Sequence, residues 1–340
     1  MTSAVHGQFD EGYTEASHPR VHGLTFTGPI ALKMNAPRIL IILLTCGALS
    51  APFQASARSG SCAAGWPAHS VAFENDILYP DVQSKADPTI HVLINGKVAK
   101  MMLDTGAQAH YLWDASLLDE APSLDSEKTY AHISSADARK VRATLADAKG
   151  NRKRQEFLLV SDSILAAYGY AGVLSPQTLA DDSAFIIDLE KNCFFTSAPF
   201  EIRSDSDLDV RKGTSIANPY RLMMIPIGLD DREFPMLVDT GASDTSIFAA
   251  LVEFKPKGQN APGAIDAFGA EVPKGERMRI VDLKINGETF RARPVIPWPV
   301  RKDKQGFENY GFIGMDILKD RVIYYDGARH EFTLLTRRYP

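Results

Sequence analysis

Two short segments hold the residues best suited to chemistry. Leu103-Asp104-Thr105-Gly106-Ala107 and Val238-Asp239-Thr240-Gly241-Ala242-Ser243 each run an apolar stretch into an acid, a hydroxyl and a glycine. The prefix reads as a strand that delivers the carboxylate into a turn, where threonine bonds locally and glycine permits positive φ or close backbone approach. One Asp-Thr-Gly is an ordinary turn. Two copies with the same apolar prefix and the same alanine suffix point to a shared site. Two carboxylates brought together cannot both ionise easily, so the pair holds a single proton near mildly acidic pH. Its ionised member can then take a proton from water while the protonated member donates to a carbonyl.

The elements needed to position such a pair repeat along the chain. Ile90 to Ile94 alternates as a strand, Asn95-Gly96 is a strong hairpin signal, and Lys97 to Leu103 returns as a strand ending at Asp104. Leu222 to Ile227, a polar turn around Gly228 to Asp231, and Phe234 to Val238 do the same for Asp239. Further strands are expected at Phe157 to Val160 and at Ile280 to Ile285, the latter followed by an Asn286-Gly287 turn. Gly172-Val173-Leu174-Ser175 answers to Gly311-Phe312-Ile313-Gly314, and Ala184 to Asp188 answers to Val322 to Asp326. Helical periodicity is confined to short stretches near Trp113 to Leu118, Gln177 to Ala180 and Met315 to Lys319, so the expected fold class is mostly β. The resulting organisation is a first lobe over 68–200, a polar linker over 201–218 and a second lobe over 219–340.

On these residues the chain resembles the aspartic peptidases of the pepsin and retropepsin superfamily, in particular bacterial single-chain, retropepsin-like proteins with two Asp-Thr-Gly-Ala motifs. The likeness covers the chain from about Ile90 to its end. It implies a bilobal acid-protease fold, with two pseudo-symmetric β-barrel-like lobes and short helices. It also implies an intramolecular pair of catalytic acids, Asp104 and Asp239, facing each other across a cleft. Thr105 and Thr240 would interlock the two loops, while Gly106 and Gly241 would let them approach. The family's apolar-apolar-Gly brace maps onto Phe312-Ile313-Gly314, but in the first half it becomes Val173-Leu174-Ser175, which leaves the packing of that loop open. A mobile hairpin over the cleft would be Thr129 to Arg142, with Tyr130 either covering the cleft or simply on the surface, and its second-half equivalent would be Gly263 to Lys274. The implied activity is endopeptidase hydrolysis of peptide or protein substrates by a monomer with an internal pseudo-dimer, without a cofactor. The alternative is a non-catalytic peptide-binding or envelope protein that retains the duplicated fold.

Composition narrows the remaining classes. The 340 residues carry a net charge of −5 at 45% hydrophobic content, which suits a globular protein and gives no broad attraction to nucleic acid. The basic run Arg152-Lys153-Arg154 reads as the solvated tip of a hairpin. Arg38, the apolar run Ile39 to Leu49 and Ala55-Ser56-Ala57 match a secretory signal over 34–57, and residues 1–33 read as an extension ahead of it. The apolar run is too short for a bilayer span, which takes about 20 residues, so a periplasmic or secreted protein is expected with no stable membrane span after processing. Whether it stays attached to a membrane is left open. With Cys46 inside the signal, Cys62 and Cys193 remain as a pair, either bridged or as two buried thiols. The histidines are scattered, with no metal-ligand spacing, so no metal site is expected, and His110 reads as a packing residue. Pro297-Trp298-Pro299 reads as a rigid loop with one apolar anchor, the alternative being that it lines a substrate site.

Overall fold

A computed structural model describes residues 60–131, 133–161, 163–202, 208–212, 222–263, 265–270, 276–299 and 308–337. The expected extension at 1–33 and signal at 34–57 lie outside these residues, as do parts of the expected linker and of Gly263 to Lys274.

The first half contains β1 (Phe73–Asp76), β2 (Thr89–Ile94), β3 (Lys97–Leu103), β4 (His110–Leu112), β5 (Ser126–Tyr130), β6 (Ser135–Ala146), β7 (Arg152–Val160), β8 (Gly172–Leu174), β9 (Ala184–Asp188) and β10 (Cys193–Ser197). β2 turns its Ile90, Val92 and Ile94 inward and β3 turns Ala99, Met101 and Leu103 inward, the period-2 pattern of a half-buried strand. Asn95 and Gly96 join them with φ of 51° and 82°, the left-handed pair that a tight hairpin turn demands. The sheet runs β2-β3-β8-β4-β7-β6-β5, and Leu93 and Ile94 pair with Ala146 and Leu145 to close β6 onto β2. The first lobe is thus a closed six-stranded barrel with β5 outside it.

The second half repeats the plan. After β11 (Leu208–Lys212) come β12 (Met224–Leu229), β13 (Arg232–Val238), β14 (Ser246–Phe248), β15 (Lys257–Asn260), β16 (Arg277–Ile285), β17 (Glu288–Trp298), β18 (Gly311–Ile313), β19 (Val322–Asp326) and β20 (Glu331–Arg337). Their order β12-β13-β18-β14-β17-β16-β15, closed by Ile227↔Ile285 and Leu229↔Leu283, matches the first lobe strand for strand. The short helices α1 (Pro176–Ala180), α2 (Ala249–Val252) and α3 (Met315–Leu318) cap the loops between strands.

A third sheet, β1-β10-β9-β19-β20-β11, takes strands from both halves. Its central pair is β9 against β19, antiparallel with Ile186 opposite Tyr324. The core is continuous from one barrel to the other through Phe185, Phe194, Tyr325 and Phe332. On the opposite face, Trp66 and Phe200 pack on Phe195 and Tyr324, and a Cys62–Cys193 disulfide with Cα atoms 5.4 Å apart ties the leading segment to β10.

Several local expectations are corrected. β12 runs on to Leu229, and the turn after it is only Asp230-Asp231, with Asp230 at φ 54°. Arg152-Lys153-Arg154 is the start of β7, because Asp147 gathers the Lys149 and Asn151 N–H groups and completes the turn one residue earlier. The polar linker contains a strand, since β11 pairs along β20. Pro297-Trp298 ends β17 rather than forming a loop; it lies in parallel pairing with β14, and Trp298 is buried.

The disulfide closes a loop spanning 131 positions and therefore restricts the unfolded chain strongly. Replacing Cys62 and Cys193 together by Ser should lower the unfolding free energy by about 2–4 kcal/mol, read as a lower urea midpoint with a steeper slope as the unfolded chain expands.

Candidate active site

β3 and β13 each end by delivering an aspartate into a turn. The Asp104 N–H donates to Leu174 O at 3.1 Å and the Asp239 N–H to Ile313 O at 3.0 Å, so β8 and β18 fix where each acid leaves its strand. Each carboxylate then accepts from its own loop, Asp104 Oδ1 from the Gly106 N–H at 2.7 Å and Asp239 Oδ1 from the Gly241 N–H at 2.8 Å.

The two loops lock into each other reciprocally. The Thr105 hydroxyl donates to Val238 O at 2.7 Å and accepts from the Thr240 N–H at 3.0 Å. The Thr240 hydroxyl donates to Leu103 O at 2.7 Å and accepts from the Thr105 N–H at 3.1 Å. Both threonines are fully buried, so each bond contributes about 1 kcal/mol net, and losing one partner leaves a buried group unsatisfied. The lock presses each loop onto the opposite acid. A Cβ on Gly106 would lie 2.7 Å from Asp239 Cγ, and one on Gly241 would lie 2.7 Å from Asp104 Cγ. These glycines are required by close approach and not by their backbone angles.

The carboxyl groups of Asp104 and Asp239 hydrogen-bond each other. Burial raises the Asp104 carboxyl, held partly back by the bond to Asp239 and by the N–H groups of Gly106, Ala107 and Gly241. Asp239 rises well above the ordinary carboxyl range, through burial first and then the charge and hydrogen bond of Asp104. The pair therefore keeps one proton well above the pH at which an exposed carboxyl loses it, and that titration belongs to the pair.

The braces behind the two loops reach the same end by different means. In the second lobe a Cβ on Gly314 would lie 2.6 Å from the Asp244 carbonyl carbon, so only glycine fits. The Met315 N–H there donates to Ala242 O at 2.8 Å and the Gly314 N–H to Thr245 Oγ1 at 3.2 Å. Thr245 in turn donates to Asp316, which Arg293 holds at 3.2 Å. In the first lobe Pro176 has no N–H to match that of Met315. Its loop is held instead by the Thr178 hydroxyl on Gln108 O at 3.1 Å and by the Gln177 amide on Thr105 O at 2.7 Å. Ser175, fully buried, caps α1 by accepting from the Thr178 N–H at 3.3 Å. Ser175 is therefore a working part of a modified brace, and the loop it supports is as closely held as its counterpart. His110 stands where the second lobe has Thr245 and accepts from the Ser175 N–H at 3.1 Å through Nδ1. Burial, and then the charge of Lys153, pushes it down to about 3, so it is a neutral packing residue.

A cleft of about 690 Å³ opens over the pair. Met102, Tyr111, Tyr170 and Val173 form its first-lobe wall, and Leu222, Leu237, Trp298 and Phe312 its second-lobe wall. Two loops cross above it. The β5–β6 hairpin brings Tyr130 and Ala131 over the cleft and packs Ile133 on the second-lobe wall. From the other side, Phe268 sets its ring against Tyr111 with centroids 5.7 Å apart. Where they meet, the Ser134 hydroxyl donates to Asp266 Oδ2 at 2.6 Å, and the Ser163 hydroxyl donates to Ala267 O at 2.7 Å. Tyr130 faces the cleft and is not merely surface. Trp298 lines the cleft, the alternative that the sequence left open for its segment, whereas Gln177 and Asp316 carried no site reading; these two share an offset from Ser175 and Gly314, which is the signal that could have found them.

No protein-family model matches the chain, and no curated protein matches its sequence.

Two outcomes follow from this arrangement. Ser175→Ala should cost about 1 kcal/mol through its lost cap, whereas Gly314→Ala, driven into backbone, should lower the melting temperature much further. Because the folded state raises the Asp239 pKa, ionisation opposes folding above the unfolded value near 4. Asp239→Asn should therefore raise the melting temperature at neutral pH, with the gain shrinking on acidification; a gain that grew toward low pH would contradict the assignment.

Proposed function

We propose that the chain is an aspartic endopeptidase that hydrolyses peptide bonds with water activated between Asp104 and Asp239. The observation that carries this reading is the contact between the two carboxyl groups at the floor of a cleft, each held by its own loop and facing the other's glycine. Such a pair at one proton holds a base and an acid side by side.

In the proposed reaction, the ionised carboxylate takes a proton from water as the water oxygen attacks the peptide carbonyl carbon. The protonated carboxyl donates its proton to the carbonyl oxygen, giving a neutral tetrahedral diol. A proton then passes to the peptide nitrogen as the C–N bond breaks, a hydroxyl proton returns to the dyad, and acid and amine leave. No acyl-enzyme forms, and the pair ends with the single proton it began with. Burial raises both carboxyls and they share one proton, so the roles of acid and base belong to the pair.

The apolar walls on both sides of the pair suit an extended peptide with side chains to either side, and both acids in one chain make a second copy unnecessary. The leading segment at 34–57, read as a secretory signal, supports action outside the cytoplasm, and the disulfide is compatible with that compartment.

Replacing either Asp104 or Asp239 by Asn should reduce cleavage of a denatured protein substrate by at least about a thousandfold, measured at mildly acidic pH by mass spectrometry of the products. Full turnover in either variant would end the dyad reading, and peptide binding without turnover by the unaltered chain would replace it with that of a binding protein.

A further inference from the structure

The two walls of the cleft occupy equivalent places but differ in chemistry. Thr105 and Thr240, which lock together, stand 135 positions apart, and the same offset relates the strands that lead into the site. On β2 and β3 of the first lobe, His91 pairs with Lys100. At the equivalent places on β12 and β13, Pro226 pairs with Pro235. Asp87 likewise stands where the second lobe has Leu222. Asp87, Lys100 and Leu222 all line the cleft. The second-lobe side sets Leu222, Leu237, Trp298 and Phe312 beside Ser243, Asp244 and Asn309, while the first-lobe side contains Asp87 and, in Lys100, the one Lys or Arg that lines the cleft among the described residues.

Lys100 is half-buried. Its Nζ donates to Tyr168 O at 3.3 Å and stands 4.0 Å from the centroid of the Tyr170 ring. Among the described residues it forms no ion pair, so an ammonium with three donors has one protein acceptor. Asp87 accepts instead from the Ser243 hydroxyl of the other lobe at 3.4 Å. Burial raises the Asp87 carboxyl, while the Ser243 hydrogen bond and the charge of Lys100 hold it partly back, so Asp87 competes with an incoming anion for Lys100. A cation of this kind, partly removed from water beside an aromatic face, binds a carboxylate more strongly than an exposed lysine does.

We propose that Lys100 makes the first-lobe half of the cleft a subsite for an acidic side chain. The substrates are then peptides with Asp or Glu toward the first lobe and a bulky apolar residue toward Trp298 and Phe312. This inference rests on the peptidase reading for turnover, but binding tests it separately.

The experiment uses matched peptides that differ only by Glu or Gln at each position around the cleaved bond. Their kcat/KM is measured with the full chain near pH 6, where a peptide Glu is ionised. At one position Glu should be preferred by roughly 10- to 100-fold, the range of a charge-assisted hydrogen bond in a partly dry site. Lys100→Met should bring that ratio close to unity, and Asp87→Asn, which removes the neighbouring carboxylate, should increase it. The same peptides are titrated against the Asp239→Asn protein, where the Kd ratio should show the same preference and the same response to Lys100→Met. Turnover with no Glu preference at any position, or a preference that survives Lys100→Met, overturns the subsite while leaving the hydrolysis intact. A Glu preference in binding without any turnover sustains the subsite and overturns the hydrolysis.

Discussion

The reciprocal hold between Thr105 and Thr240 is the constraint on which the site depends. Each hydroxyl reaches across to the last strand carbonyl before the opposite aspartate and accepts from the opposite threonine N–H. No single lobe can satisfy these groups. Because the threonines are buried, separating the loops would strand donors and acceptors away from water, at about 1–3 kcal/mol each. That penalty keeps two acids in contact away from water, and burial first, then for Asp239 the charge of Asp104, raises their carboxyls.

Around this symmetric centre the lobes have diverged. Gly314 closes the second loop by having no side chain, while Ser175 closes the first by using one. Thr245 and His110 answer the same N–H from the same position with a hydroxyl and a ring nitrogen. What has been kept is a donor met by an acceptor, and the residue types that meet it are free to change. The cleft walls differ further, since His91 and Lys100 pair where the second lobe pairs Pro226 with Pro235.

Much of this was legible in the sequence, and what was not has identifiable causes. The paired hairpins announced themselves through alternation and, in the first lobe, through Asn95-Gly96, because those signals are local. Val173-Leu174 and Phe312-Ile313 stand out as matching stretches of the repeat, and the resemblance alone implied their bracing role; β8 and β18 lie between neighbours in each barrel. Trp298 was read as a loop anchor because prolines flank it, yet Pro297 sits within a paired strand. β11 was hidden in a charged linker, where Leu208 and Val210 alternate too briefly to stand out. The crossing of the loops at Ser134 and Asp266 joins residues 132 positions apart, and nothing local to either could have revealed it.

The six-stranded sheet has one more consequence. Strands of both halves are stitched edge to edge through β9 and β19, and β11 extends the same sheet from the segment that joins them. A molecule knitted together at its base in this way cannot yawn open there without unzipping a ladder of backbone bonds. Any opening of the cleft would instead fall at the roof, where, among the described residues, two hydroxyl contacts and the apolar contacts of Phe268 and Ile133 hold the loops.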